Sequence, residues 1–158
     1  MDILDEEILG FWKLLYANKV KYIMVGGFAT NLHGFQRTTG DLDVWIKDTM
    51  ENRKRFRKTL KEAEIGDFES IETTQLIPGW SVLKFPSGFE LDVMTFLKGF
   101  SAEKFDECYK ISPIALIENT EIKFLHINHL IEAKKAAGRP KDKLDLIELE
   151  KIRSKSKS

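Results

Sequence analysis

Two aspartates spaced one residue apart, Asp41 and Asp43, open the run Asp-Leu-Asp-Val-Trp-Ile. In a strand, positions i and i+2 project from the same face, so both carboxylates point the same way. Like charges held that close repel unless something positive sits between them. A hard divalent cation such as Mg²⁺ answers this, because it takes oxygen ligands. The pair alone equally fits a turn-capping aspartate beside a solvated one. A third acid, Asp92, interrupts the apolar run Leu-Asp-Val-Met-Thr-Phe, and a buried carboxylate without a partner is costly. If its strand pairs with the first, three carboxylates share a face. Such a set can hold two metal ions for in-line displacement at phosphorus.

Other residues suit the same chemistry. Gly26–Gly27 closes an apolar run and opens a short helix, where bare backbone can approach a phosphate. Arg37 and Thr38 lie just upstream of the carboxylates. Arg37 can clamp a triphosphate or anchor its loop, and Thr38 can bond a phosphate or buttress the carboxylates. Lys134 shares a helix face with Ile127, Leu130 and Ile131. A lysine on an apolar face either reaches into a site or runs past the stripe to solvent. Asp142 and Asp145 share a face at i, i+3 and can pair with Arg139 or Lys134, or cap and solvate their helix. His33 reads as a structural or capping residue at a helix end. His126 and His129 have no Glu or Cys at zinc-like spacing and read as helix-start residues.

The elements that position these groups follow from pattern. Asp2–Ala17 predicts a helix, with Ile8, Phe11, Trp12 and Leu15 as its apolar stripe, acids in its first turn and Asn18 at its end. Tyr22–Val25 predicts a buried strand, Phe28–His33 a short helix stopped by Gly34, and Asp41–Ile46 a second strand. Met50–Ile65 predicts a charged helix with Phe56, Leu60 and Ala63 inward and Gly66 as C-cap. Phe68–Thr74 reads as a short strand and Pro78–Gly79 as a turn. Ser81–Phe85 and Phe89–Phe96 form a hairpin about Pro86–Ser87–Gly88. Ser101–Lys110 is a helix capped by Ser101, and Ile114–Glu118 with Glu121–Leu125 a small hairpin about Asn119–Thr120. Two helices, His126–Ala137 and Pro140–Arg153, are split by Gly138, with Pro140 at the first position of the second.

The bulk numbers bound the answer. The chain has 158 residues, 42% hydrophobic, with 11 Phe and 3 Trp, which is enough for one core. Lys plus Arg (25) equals Asp plus Glu (25), so long-range attraction to nucleic acid is not the default. The lone cysteine, Cys108, excludes an internal disulfide and a Cys-based zinc site. No apolar run is long enough for a membrane span, and the acidic start lacks a signal peptide's basic region. The expectation is a soluble cytoplasmic protein with no membrane partner.

Taken together, Gly26–Ile46 resembles the glycine–carboxylate signature of the polymerase-beta-like nucleotidyltransferase superfamily. The closest resemblance is to the small prokaryotic AbiEii-like toxin nucleotidyltransferases. Leu91–Asp92–Val93 resembles their third-carboxylate strand. Lys134, Arg139, Pro140, Asp142 and Asp145 match their C-terminal element. Gly27 stands where many superfamily members carry serine, and Thr38 or Thr39 can supply the missing hydroxyl. The resemblance implies an α/β (α+β) fold, a small mixed sheet flanked by helices. Residues 1–125 would form the core, 126–153 a C-terminal helical pair and 154–158 a frayed tail. It implies transfer of a nucleoside monophosphate from an NTP to a hydroxyl of RNA, protein or a small molecule. Asp41, Asp43 and Asp92 would be catalytic ligands of two Mg²⁺ ions, which Mn²⁺ can replace. Gly26, Gly27, Arg37, Thr38 and Lys134 would bind nucleotide, supported by Thr39, Arg139 and Asp142. It also implies a toxin–antitoxin or abortive-infection role with a cognate partner protein. The alternatives are an antibiotic-modifying nucleotidyltransferase or a degenerate binding module.

Overall fold

The computed structural model describes residues 5–73 and 80–156. The elements run α1 (Glu6–Ala17), β1 (Tyr22–Val25), α2 (Gly26–Leu32), β2 (Asp41–Ile46), α3 (Met50–Glu62), α4 (Ser70–Thr73), β3 (Trp80–Lys84), β4 (Glu90–Met94), α5 (Phe105–Ile111), β5 (Ile114–Ile117), β6 (Thr120–Lys123), α6 (Ile127–Ala137) and α7 (Asp142–Ser156). Four strands form one sheet in the order β1-β2-β4-β3. β1 is antiparallel to β2 and β3 to β4, while β2 and β4 run parallel, so the sheet is mixed. Helices flank it, giving the expected α/β class. The β5–β6 ribbon joins the β1 edge, where Leu125 N–H donates to Met24 O at 2.9 Å.

The sheet has two unlike faces because opposite residues on paired strands point the same way. One face carries Met24, Leu42, Val44, Ile46, Leu91 and Val93, none of them exposed. α1 lies on it, since Ile8, Phe11, Trp12 and Leu15 are all buried and Trp12 Nε1 donates to Met24 Sδ at 3.3 Å. Edge contacts of Phe11 with Phe85 and of Trp12 with Phe28 fill the space between. Asn52 of α3 fastens the start of β1 to the end of β2. Its amide donates to Lys21 O and Lys47 O and accepts from Lys21 N–H. The opposite face carries Asp41, Asp43 and Asp92, with Trp45 beyond them packed under Phe100 and Phe105.

Several boundaries differ from the sequence expectation. Asp5 caps α1, accepting from Glu7 N–H at 3.0 Å, with Glu6 and Glu7 in the first turn; Asp2 lies outside the described residues. α2 begins at Gly26 rather than Phe28. α3 ends at Glu62, capped by Ala63, with Glu64 as the left-handed residue (φ 60°) instead of Gly66 as cap. Of the expected strand Phe68–Thr74, Thr74 lies outside the described residues and 68–73 is not a strand: Phe68 and Ile71 pack inward at helical spacing, and Arg57 of α3 pairs with Asp67 and Glu72 beside α4. Pro78–Gly79 lies outside the described residues. A 3₁₀ turn at Ala102–Lys104 precedes α5, so Lys104, not Ser101, stands at its start. The second hairpin turns at Glu118–Asn119, both with positive φ, which frees Thr120 to pair with Ile117. His126 caps α6 from outside, its ring accepting from Asn128 N–H. Gly138 ends α6 at φ 61°. Pro140 sits in the turn before α7 rather than inside it, and α7 continues past Arg153 to Ser156. No helix among the described residues is long and apolar enough to cross a membrane.

Candidate functional site

The parallel register sets Asp43 directly beside Asp92, and Asp41 projects from the same face of β2. Oxygens of the three carboxylates lie within 4.8 Å of one another, which makes them a group able to hold a metal ion. Burial, then the charges of Asp41 and Asp92, push the Asp43 carboxyl up to about 7, against smaller opposing pulls from Arg139 and Lys141. A hard cation is the counter-charge that such a donor set fits.

The glycines are shaped by these carboxylates. Gly26 has φ 66°, and a Cβ there would lie 2.0 Å from Asp43 Oδ2. A Cβ on Gly27 would lie 2.5 Å from Thr39 Cγ2 and 3.3 Å from an Arg37 guanidinium nitrogen. The missing side chains therefore let the start of α2 rest on the carboxylate strand. Gly26→Ala combines strain with a clash. Purified Gly26→Ala is expected to lose about 1–3 kcal/mol in denaturant titration and to show displaced carboxylates through weakened Mg²⁺ binding.

Asn31, which the sequence reading passed over, holds the loop between α2 and β2. Its amide donates to Arg37 O, and its side-chain oxygen accepts from Arg37 N–H, both at 3.1 Å. The signal was an asparagine near the end of a short helix whose other residues are small or apolar apart from Thr30. Beyond this loop Thr39 Oγ1 is buried without a hydrogen-bond partner among the described residues. Thr39 borders the cleft, whereas Thr38 is exposed and does not.

Arg37 and Lys134 meet on one carboxylate, 108 residues from the first and 11 from the second. Arg37 makes two bonds to Asp145, at 2.8 and 2.7 Å, and Lys134 Nζ donates to Asp145 at 2.8 Å. Lys134 is 5% exposed, so it does not run out to solvent. Arg139 grips Asp142 at 2.8 and 3.1 Å, and Lys134 stands 3.6 Å from the same carboxylate. Burial alone would raise Asp142 and Asp145, but the hydrogen bonds and charges of these cations outweigh it and hold both below the usual carboxylate range. The three histidines lie apart from this chemistry. His33 Nε2 bonds Leu125 O at 2.7 Å and packs on Phe124, and burial lowers its pKa. His129 packs against Phe100 and His126 caps α6.

These groups line one cleft of about 570 Å³. The carboxylates and glycines form its floor. Leu130, Ala133, Lys134 and Ala137 of α6 form one wall, and Met94, Phe96 and Leu97 another. Small alanines at i and i+4 of α6 leave it open.

No protein-family model and no curated protein sequence matches the chain. Solved structures do. The lincosamide antibiotic adenylyltransferase LnuA in its lincomycin-bound form matches with TM-score 0.64 at 15% identity, over 96% of this chain and 99% of that one. A putative nucleotidyltransferase from Thermotoga maritima matches at 0.59 and 15%, over 89% and 88%. An antigenic nucleotidyltransferase-like protein from Paracoccidioides brasiliensis matches at 0.53 and 17%, over 90% and 72%. At such identities the likeness is one of fold, and the chain has the fold of these nucleotidyltransferases.

Proposed function

We propose that the protein transfers a nucleoside monophosphate from an NTP to a hydroxyl group, and the observation that carries this is the convergence of Asp41, Asp43 and Asp92 in an open cleft. Asp41 and Asp43 would hold Mg²⁺, and Asp92 would complete a second position. Bound there, Mg²⁺ supplies charge neutralisation at the triphosphate and acidifies the attacking hydroxyl. The acceptor oxygen bonds to the α-phosphorus as the bond to the β-phosphate oxygen breaks. The electron pair leaves with pyrophosphate, and Asp92 takes the hydroxyl proton. Gly26 and Gly27 give the phosphates a bare backbone surface, and Thr39 Oγ1 is the hydroxyl available beside it. Arg37 and Lys134 contribute positive charge at the wall while tied to Asp145. Catalysis of this kind is mainly positioning and electrostatics.

The cleft favours a small acceptor with an apolar body. Its volume falls in the range of small-molecule sites, and Met94 at the end of β4 and Phe96 just past it line the cleft with Asp92. LnuA, matched over nearly its whole length, is an adenylyltransferase of this size seen with a small-molecule antibiotic. A toxin role of the AbiEii kind rests on the sequence resemblance, and a neighbouring gene for a DNA-binding or HEPN-type protein would favour it. The test is transfer of α-³²P label from each NTP, with Mg²⁺, to pooled RNA, protein and hydroxylated small molecules. Label that transfers and is lost in Asp92→Ala supports the reading. Tight nucleotide binding with no transfer, unchanged by Asp92→Ala, replaces it with a binding module.

A further inference from the structure

Five basic side chains border the cleft, and they are not equivalent. Arg37 and Lys134 are committed to Asp145, and Arg139 to Asp142. Lys98 and Lys141 are exposed and form no ion pair with any described residue. A cation gripped by a buried carboxylate keeps its donors turned to that partner, although three cations here share two carboxylates. An unmatched ammonium on a flexible stem is available to a phosphate.

Both lysines stand on fixed bases. Lys98 lies in the turn closed by Phe100 N–H to Leu97 O at 2.8 Å. Next to it Gly99 has φ 91°, and a Cβ there would come within 3.0 Å of Ala136 Cβ, so the turn is pressed against α6. Lys141 lies in the α6–α7 turn, closed by Asp142 N–H to Arg139 O at 3.0 Å and Lys143 N–H to Pro140 O at 3.2 Å. The Arg139–Asp142 pair braces that turn. Lys141 also stands near enough to Asp43 for its charge to lower the carboxyl. The two stems thus rise from turns packed at the C-terminal half of α6, on the rim of the carboxylate cleft.

We propose that Lys98 and Lys141 are the clamp for the β- and γ-phosphates of the NTP, holding the pyrophosphate as it leaves, while Arg37 and Lys134 act as framework locks through Asp145. The proposal rests on the nucleotidyltransferase reading above. It differs from that reading's assignment of nucleotide charge because it selects the cations by which are unmatched. The chemistry recognised is a diphosphate group, so the base and the α-phosphate lie outside its reach.

The experiment compares ligands that differ only in that group. Calorimetry with the full chain and Mg²⁺ measures binding of a non-hydrolysable α,β-methylene NTP and of the matching NMP. The Lys98→Gln/Lys141→Gln double variant is expected to lose tenfold or more in NTP affinity and less than twofold in NMP affinity. Inhibition by inorganic pyrophosphate should weaken in parallel. Both lysines are exposed, so the thermal midpoint should be unchanged, which separates lost binding from lost folding. Equal losses for NTP and NMP, or wild-type NTP affinity in the double variant, overturn the clamp and leave the transferase reading standing. A wild-type chain that binds no NTP overturns that reading and the clamp with it.

Discussion

Replacing Asp43 with asparagine is expected to cripple the proposed transfer yet stabilise the metal-free protein at alkaline pH. The Asp43 carboxyl titrates at about 7 in the fold and near 3.8 when unfolded. Between those values the folded state binds more protons than the unfolded state, so stability falls as pH rises through the window and levels off above it. The shift corresponds to a penalty on the order of 4 kcal/mol for the ionised form. Asp43→Asn removes this penalty while keeping the shape. With chelator present at pH 8 its thermal midpoint should exceed that of the wild type by roughly 8–16 °C. At pH 5 the gain should shrink to roughly a third of that. Adding Mg²⁺ should raise the wild-type midpoint and leave that of the variant nearly unmoved. Transfer should drop by about a thousandfold or more, as for loss of a group that acts at the transition state. A variant less stable than wild type at both pH values would show that Asp43 is held by favourable contacts instead of opposed by its neighbours.

Asp145→Asn acts in the opposite sense. The carboxylate is 2% exposed and pairs with both Lys134, itself 5% exposed, and Arg37. Removing its charge leaves two cations facing each other in a partly dry interior. Breaking a buried pair from one side costs about 3–5 kcal/mol. The thermal midpoint should fall by roughly 6–15 °C. Lys134→Met added to Asp145→Asn should recover part of the loss, because an apolar side chain of similar length suits a wall that already contains Leu130 and Ala133. A loss below about 1 kcal/mol in urea titration would mean that solvent screens the network. The depressed carboxyls of Asp142 and Asp145 add an acid limit. Their contribution is complete above the ordinary carboxylate value of 3.8 and fades as pH falls through their lower folded values.

Local pattern carried the sheet well. Tyr22–Val25 and Asp41–Ile46 match their strands residue for residue, because an apolar run closed by glycines and an alternating run each leave one solution. Asp92 stood out for the same reason: a lone acid in an apolar strand needs company, and the structure supplies it. What sequence could not carry was pairing at a distance. Arg37 and Asp145 are 108 residues apart, and no periodicity links them. The choice between phosphate ligand and framework lock therefore had no local signal for Arg37, whereas the pairing of Lys134 with the acids of α7 was open from their closeness in sequence and is what the structure shows. The glycines were legible as a turn, but not as surfaces fitted to Asp43 and Thr39, because only the packed fold shows what a Cβ would strike. Phe68–Ile71 misled for a simpler reason, since two inward residues at i, i+3 in so short a run fit one helical turn as well as a strand.

The parallel ladder between β2 and β4 also orders events in time. β1, α2 and β2 are contiguous, and their contacts are short in sequence, so this unit can assemble early. β4 reaches β2 only after α3 and α4 have been traversed, and the register that sets Asp92 beside Asp43 forms at that docking step. That docking brings Asp92 up against the like charges of Asp41 and Asp43. Mild acid or a divalent cation lowers that barrier, and the metal-free chain at neutral pH folds against the charge of its own cleft.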